Sequence, residues 1–153
     1  MSRLARLVAV ALVACAPLTA PAQSAFTGRW DISFVGGMRV ENDESTPIMV
    51  KGLLTITETA DSLIATLKVT PPEGMPERPA SRFAAAKPNG SAVSFVQRSQ
   101  ATLNANGEER TVTAISNWSF TVTGDALAGT VTRELEGMMA GMPASPVTGT
   151  RAP

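Results

Sequence analysis

Residues 110–123 read Arg-Thr-Val-Thr-Ala-Ile-Ser-Asn-Trp-Ser-Phe-Thr-Val-Thr, and this stretch decides the fold. Val112, Ala114, Ser116, Trp118, Phe120 and Val122 alternate with Thr111, Thr113, Ile115, Asn117, Ser119 and Thr121. Side chains alternate across a strand, so a run with this period has one face against a core and the other in water. On the downstream side Gly124-Asp125 supplies a turn into Leu127, Gly129, Val131 and Arg133, which again share one face. A Gly/Met loop, Gly137-Met138-Met139-Ala140-Gly141-Met142-Pro143, then leads to a final strand around residues 147–151.

Upstream the pattern repeats. Asn104-Ala105-Asn106-Gly107 is a turn, residues 91–100 form a strand with Val93 and Phe95 on one side, and Pro88-Asn89-Gly90 turns into a short strand at 82–86. The stretch from Pro71 to Pro79 is too rich in proline, which lacks a ladder donor, to be a central strand, and reads as an exposed loop. Residues 50–57 and 63–69 form a hairpin about Thr59-Ala60-Asp61-Ser62. The first strand places Trp30, Ile32 and Phe34 on one face and ends at Gly36-Gly37. No stretch carries a convincing helical period.

An all-β fold follows, with about eight antiparallel strands joined by short connections. Such an up-and-down meander hides its edges best by closing into a barrel. A β-sandwich with Greek-key connections is the alternative. An outer-membrane barrel is disfavoured: two Trp, five Phe and no Tyr, with many Thr on the outer face, leave no aromatic girdle or lipid band.

Composition bounds the chemistry. The 153 residues include 13 Lys+Arg, 13 Asp+Glu, no His and one Cys. Without His, Ser-His-Asp and Cys-His catalysis, a His-ligated haem and the common zinc sites are excluded. Balanced, interspersed charge gives no basic footprint, so no nucleic-acid partner is expected. The first 22 residues have a basic start with Arg3 and Arg6, an apolar run from Leu7 to Ala16, and small residues at Ala20 and Ala22, the layout of a signal peptide. The apolar run falls short of the about 20 residues that span a bilayer, so no transmembrane segment is expected in the mature chain. Residues 1–22 are thus read as the signal peptide and 23–153 as a single domain, exported to the periplasm or secreted. Leu12-Val13-Ala14-Cys15 competes as a lipobox, which would make the product a lipoprotein anchored through Cys15.

Phe26-Thr27-Gly28-Arg29-Trp30 opens the first mature strand and Gly149-Thr150-Arg151 closes the last. These ends resemble the calycin group of lipocalins, avidins and fatty-acid-binding proteins. Together with Leu127-Ala128-Gly129-Thr130, they are also similar to small lipocalin-like domains of exported bacterial proteins. The resemblance implies a barrel with a G-x-W at its base and a closing Arg across the indole. Gly28, Trp30 and Arg151 take those positions, and the implied role is structural. The chain departs from the group in lacking an obvious helix and the aromatic set of the avidin ligand site, so biotin binding does not carry over.

The inner face of the deciding stretch suggests a ligand site. Ala114 and Ser116 are small, Ser116 is polar, and Trp118, Phe120 and Arg133 share their side. With Gly52, Ala65 and Gly129, these positions mean either space for a ligand or strands approaching closely at a bend. Arg133 is the candidate to meet a ligand carboxylate or an internal acid, unless a register slip at a Gly129 bulge turns it to solvent. Three other features have stronger structural readings. Met138, Met139 and Met142 could hold Cu(I) but more often cap an apolar mouth. Glu41-Asn42-Asp43-Glu44-Ser45 offers oxygens but lacks the spacing of a calcium loop. Glu108 and Glu109, adjacent on a strand, point to opposite faces and make no acid/base pair. No metal or other cofactor is expected. The chain is read as a non-catalytic binding protein for a small apolar or amphipathic ligand. The alternatives are a protein-interaction or inhibitor module acting through its loops on an envelope or secreted protein, and a purely structural envelope protein.

Overall fold

Eight strands follow one another: β1 (Gly28–Glu41), β2 (Glu44–Glu58), β3 (Ser62–Val69), β4 (Ser81–Ala86), β5 (Ala92–Ala105), β6 (Glu108–Thr123), β7 (Ala126–Leu135) and β8 (Met142–Arg151). This is a computed structural model, and it describes residues 24–41, 44–71, 76–88, 90–105, 108–137 and 142–153. Residues 1–23, with Cys15, and Met138, Met139 and the side chain of Met142 lie outside the described residues, as do Asn42, Asp43 and the side chains of Glu41 and Ser45.

All pairings are antiparallel within one sheet of order β4-β3-β2-β1-β8-β7-β6-β5. The chain is therefore a meander whose first and last strands pair with each other, Trp30 opposite Arg151 and Phe34 opposite Val147. A single curled sheet rules out the two-sheet sandwich. Curling brings β4 and β5 together, with the Phe83 and Phe95 rings 5.6 Å apart. No ladder joins these two strands among the described residues, so the barrel is nearly closed, with one seam.

One end of the barrel, the base, carries Ser24 to Thr27, the turns after β2, β4 and β6, and the C-terminal Ala152 and Pro153. The other end, the mouth, is where Glu41 meets Glu44 and Ala105 meets Glu108. The β1–β8 ladder stops at Phe34 and the β2–β3 ladder at Gly52, so β1 and β2 continue upward as a two-stranded arm. β5 and β6 likewise run on above Ala114, where the β6–β7 ladder ends.

The arms correct the sequence reading. Gly36-Gly37 does not end the first strand; the register shifts between Val35 and Gly37 and the strand continues. Pairing in an arm needs no buried face, so the alternation that marks a strand fades there while the ladder persists. Strand β8 also begins earlier than residue 147, with Pro143 in the irregular stretch where the β7–β8 register shifts between Val131 and Arg133. That shift, and none at Gly129, is the irregularity of β7, and it leaves Arg133 on the same face as Val131.

Inside, the inward stripes fill the lower barrel. Trp30, Leu54, Ile56, Leu63, Phe95 and Phe120 are fully buried. Trp118 stacks on Phe83 at 6.2 Å and meets Phe34 edge-on at 5.1 Å, while Phe120 lies 6.0 Å from Trp118 and 6.1 Å from Phe95. Trp and Phe rings drawn from four strands thus occupy the axis, and their edge-on contacts add to the area they bury.

Candidate functional site

The base is built from the segment before β1 and the end of β8. Trp30 is completely buried and its indole N–H donates to Phe26 O at 2.9 Å. The Arg151 guanidinium lies 4.2 Å from the Trp30 ring, within cation–π range. It also donates to Thr27 O at 3.0 Å, to Ala25 O at 3.3 Å and to Asp125 Oδ1 at 2.9 Å. Gly28 has φ of +132°, and a Cβ there would lie 2.6 Å from Arg151 Nη1. The backbone conformation therefore requires glycine, and a Cβ would also press on the guanidinium. The three signature residues meet, and they form a clasp that ties the N-terminal segment to β8.

A second tie was not legible. Glu58 accepts from the Ser24 N–H at 3.0 Å and pairs with Lys87 at 2.7 Å. The Lys87 hydrogen bond and then the Ser24 N–H hold its carboxyl below the usual range, against a smaller opposing effect of burial. A carboxyl lowered on folding contributes stability that is full above its unfolded value of about 4.3 and is lost as pH falls through the lowered folded value. The urea midpoint is therefore expected to drop between about pH 5 and about pH 3 more steeply in the parent than in Glu58→Gln. Equal slopes would mean that Glu58 carries no linked proton.

The inner-wall residues separate into two groups. Trp118 and Phe120 belong to the packed aromatic cluster, and the Trp118 N–H donates to Gln97 Oε1 at 3.0 Å. Ser116 and Arg133 are register partners on β6 and β7, with Ala114 opposite Leu135 one step toward the mouth. Small residues elsewhere mark close approach and not space. A Cβ on Gly129 would come within 2.0 Å of Ser119 O, and one on Gly52 within 2.8 Å of Lys68 O.

Arg133 is half-buried, and burial pushes its guanidinium down from its ordinary value. An arginine starts so high that it stays charged at neutral pH. Nη1 donates to Gly36 O at 2.9 Å and Val35 O at 3.3 Å, and the guanidinium sits 5.6 Å from the Phe34 ring. Its place follows from the ladder. Ala152 N donates to Arg29 O, so odd residues of β1 face β8, and Val35 would next meet Pro146. Proline has no N–H, the ladder stops, and Arg133 supplies the missing donor to Val35. No carboxylate lies within ion-pair distance of Arg133 among the described residues. Its Nε and Nη2 groups have no protein acceptor there.

Two clefts lie outside the barrel. One, of about 280 Å³, is at the base between Phe26, Glu58, Lys87 and Val122; the other, of about 520 Å³, is on the outer face between Asp31, Lys51 and Thr148. Among the described residues no group of three or more His, Cys, Asp or Glu could hold a metal ion, and no helix is long and apolar enough to cross a membrane. Of the Glu108 and Glu109 pair, Glu109 is exposed and sits opposite Asn104. Comparison with protein-family models, with curated proteins and with solved structures finds no match to this chain.

Proposed function

We propose that this chain is an exported, non-catalytic binding protein of lipocalin-like build that takes a small amphipathic ligand at the mouth of its barrel, with an anionic head on Arg133. The observation that carries this reading is a half-buried cation on the inner wall, beside Ser116, that spends one nitrogen on β1 and has no carboxylate partner among the described residues. A desolvated charge is costly unless paired, and an anionic ligand would supply the pair. The aromatic floor limits the depth of entry, so the apolar part of the ligand lies against Val112, Ala114 and Leu135. The absence of His throughout the chain favours binding over catalysis. Residues 1–22 fit removal on export, with anchoring through Cys15 the other route to the same compartment.

The test is native mass spectrometry of the protein isolated from its own cell envelope. An anionic amphiphile at one per chain is expected in the parent. It should be absent from Arg133→Met, which keeps the side-chain stem and drops the charge. A parent that arrives empty would overturn the proposal. One observation favours a second reading, protein contact at the same end: Ile48 and Met49 are exposed on the β1–β2 arm at 37% and 59%. A co-purifying envelope protein released by Ile48→Ser together with Met49→Ser would support it.

A further inference from the structure

The seam between β4 and β5 leaves two strand edges whose free groups can be identified. Glu136 N donates to Thr113 O, so odd residues of β6 face β7 and even residues face β5. Val93, Phe95, Gln97 and Ser99 are opposite even residues of β6 and are bonded to it. Ser94, Val96, Arg98 and Gln100 therefore aim their N–H and C=O groups at the seam. The same counting from Thr70 N to Lys51 O leaves Arg82, Ala84 and Ala86 of β4 aimed at it from the other side.

Counted outward from the turn that joins them, β4 is spent by Ser81, while β5 continues to Ala105. Among the described residues the β5 edge from Val96 upward is thus bonded to no strand, and from Arg98 onward none stands opposite it. Pro76 to Ala80 are exposed and make no backbone bond to it. An unpaired edge is a template for another strand.

Charge selects the occupant. Residues 79–107 contain Arg82, Lys87 and Arg98 and no Asp or Glu. Lys87 is paired with Glu58, whereas Arg82 and Arg98 are exposed without an ion pair among the described residues. Between them Val96 is an exposed apolar side chain, at 50%. A second copy would set basic edge against basic edge, a arrangement that disfavours self-pairing. We propose that the β5 edge from Val96 to Gln100 binds an extended acidic segment of a partner protein by strand addition. The segment's backbone pairs with Val96, Arg98 and Gln100, an apolar side chain lies beside Val96, and carboxylates face Arg98 and Arg82.

The probe is a fluorescein-labelled, end-capped heptapeptide of alternating glutamate and valine, followed by anisotropy at low salt. It should bind the parent, while the lysine–valine counterpart should not. Arg98→Glu, which keeps the backbone, should weaken it by about 10-fold. Val96→Pro should abolish binding with the fold retained, because the N–H it removes belongs to no ladder; circular dichroism checks the fold. Arg133→Met should leave peptide binding unchanged, which separates this site from the mouth. Equal affinity for the two peptides, or binding that survives both β5 variants, would overturn the proposal. So would a dimer in sedimentation that Val96→Pro dissolves, which would assign the edge to a second copy.

Discussion

Trp30→Ala is expected to remove about 4 kcal/mol of stability, the upper part of the range for emptying a large aromatic site. The side chain is fully buried, so the loss includes the transfer of the indole and a cavity at the base. Two further effects follow from its contacts. Phe26 O loses its donor, and Arg151 loses the ring it lies against at 4.2 Å. Since single domains are stable by only about 5 to 15 kcal/mol, the variant should unfold roughly 15 °C below the parent. Arg151→Ala is expected to cost about 2 kcal/mol, because it also abandons the carbonyls of Ala25 and Thr27. The double variant tests the clasp. If stacking matters, the Arg151 loss should shrink by about 1 kcal/mol in the alanine background. Urea unfolding followed by Trp118 emission measures all four proteins. Strict additivity would mean that Arg151 acts on the carbonyls alone.

The fold was legible where one side of a strand is wet and the other dry. That condition holds along β6 and β7, whose inward residues the alternation identified up to Arg133. It fails in the arms, where residues 37–41 pair with β2 alone among the described residues and Gly36-Gly37 mimics a stop. Period two also reveals which face points inward, but not whether that face is lined with space. The answer for Trp118 and Phe120 depends on Phe34, Phe83 and Phe95, which are distant in sequence and arrive from three other strands. The clasp was readable because its residues open the first strand and close the last in a recurring pattern. Arg133's bond to Val35 O was hidden, since that carbonyl is free only because Pro146 of a different strand withholds a donor, and its bond to Gly36 O lies at the register shift between Val35 and Gly37. The seam had only an indirect sign, a stretch of β4 and β5 with arginines and no acid.

Gly129→Ala is expected to cost about 3 kcal/mol, at the high end for overpacking. The added Cβ would stand 2.0 Å from Ser119 O and 2.8 Å from Phe120 Cδ1, and the nearer atom is backbone in the adjacent strand. Neither β6 nor β7 can withdraw without lengthening the ladder that pairs Phe120 with Gly129. Gly149→Ala is the useful contrast, since its nearest atom is the Ile32 Cγ2 methyl at 2.9 Å and the nearest backbone atom, Asp31 O, stands off at 3.2 Å; a smaller cost of about 1 kcal/mol is expected there. The comparison bears on function. A small residue facing inward is either room for a ligand or the price of two strands in contact, and the distances at Gly129 favour contact. If Gly129→Ala proved neutral in thermal unfolding, β7 would have to stand away from β6. The lower barrel would then hold space that the aromatic cluster does not fill. A steep loss at Gly129 with a mild one at Gly149 confines any ligand to the wall above Trp118, where Ser116 and Arg133 stand.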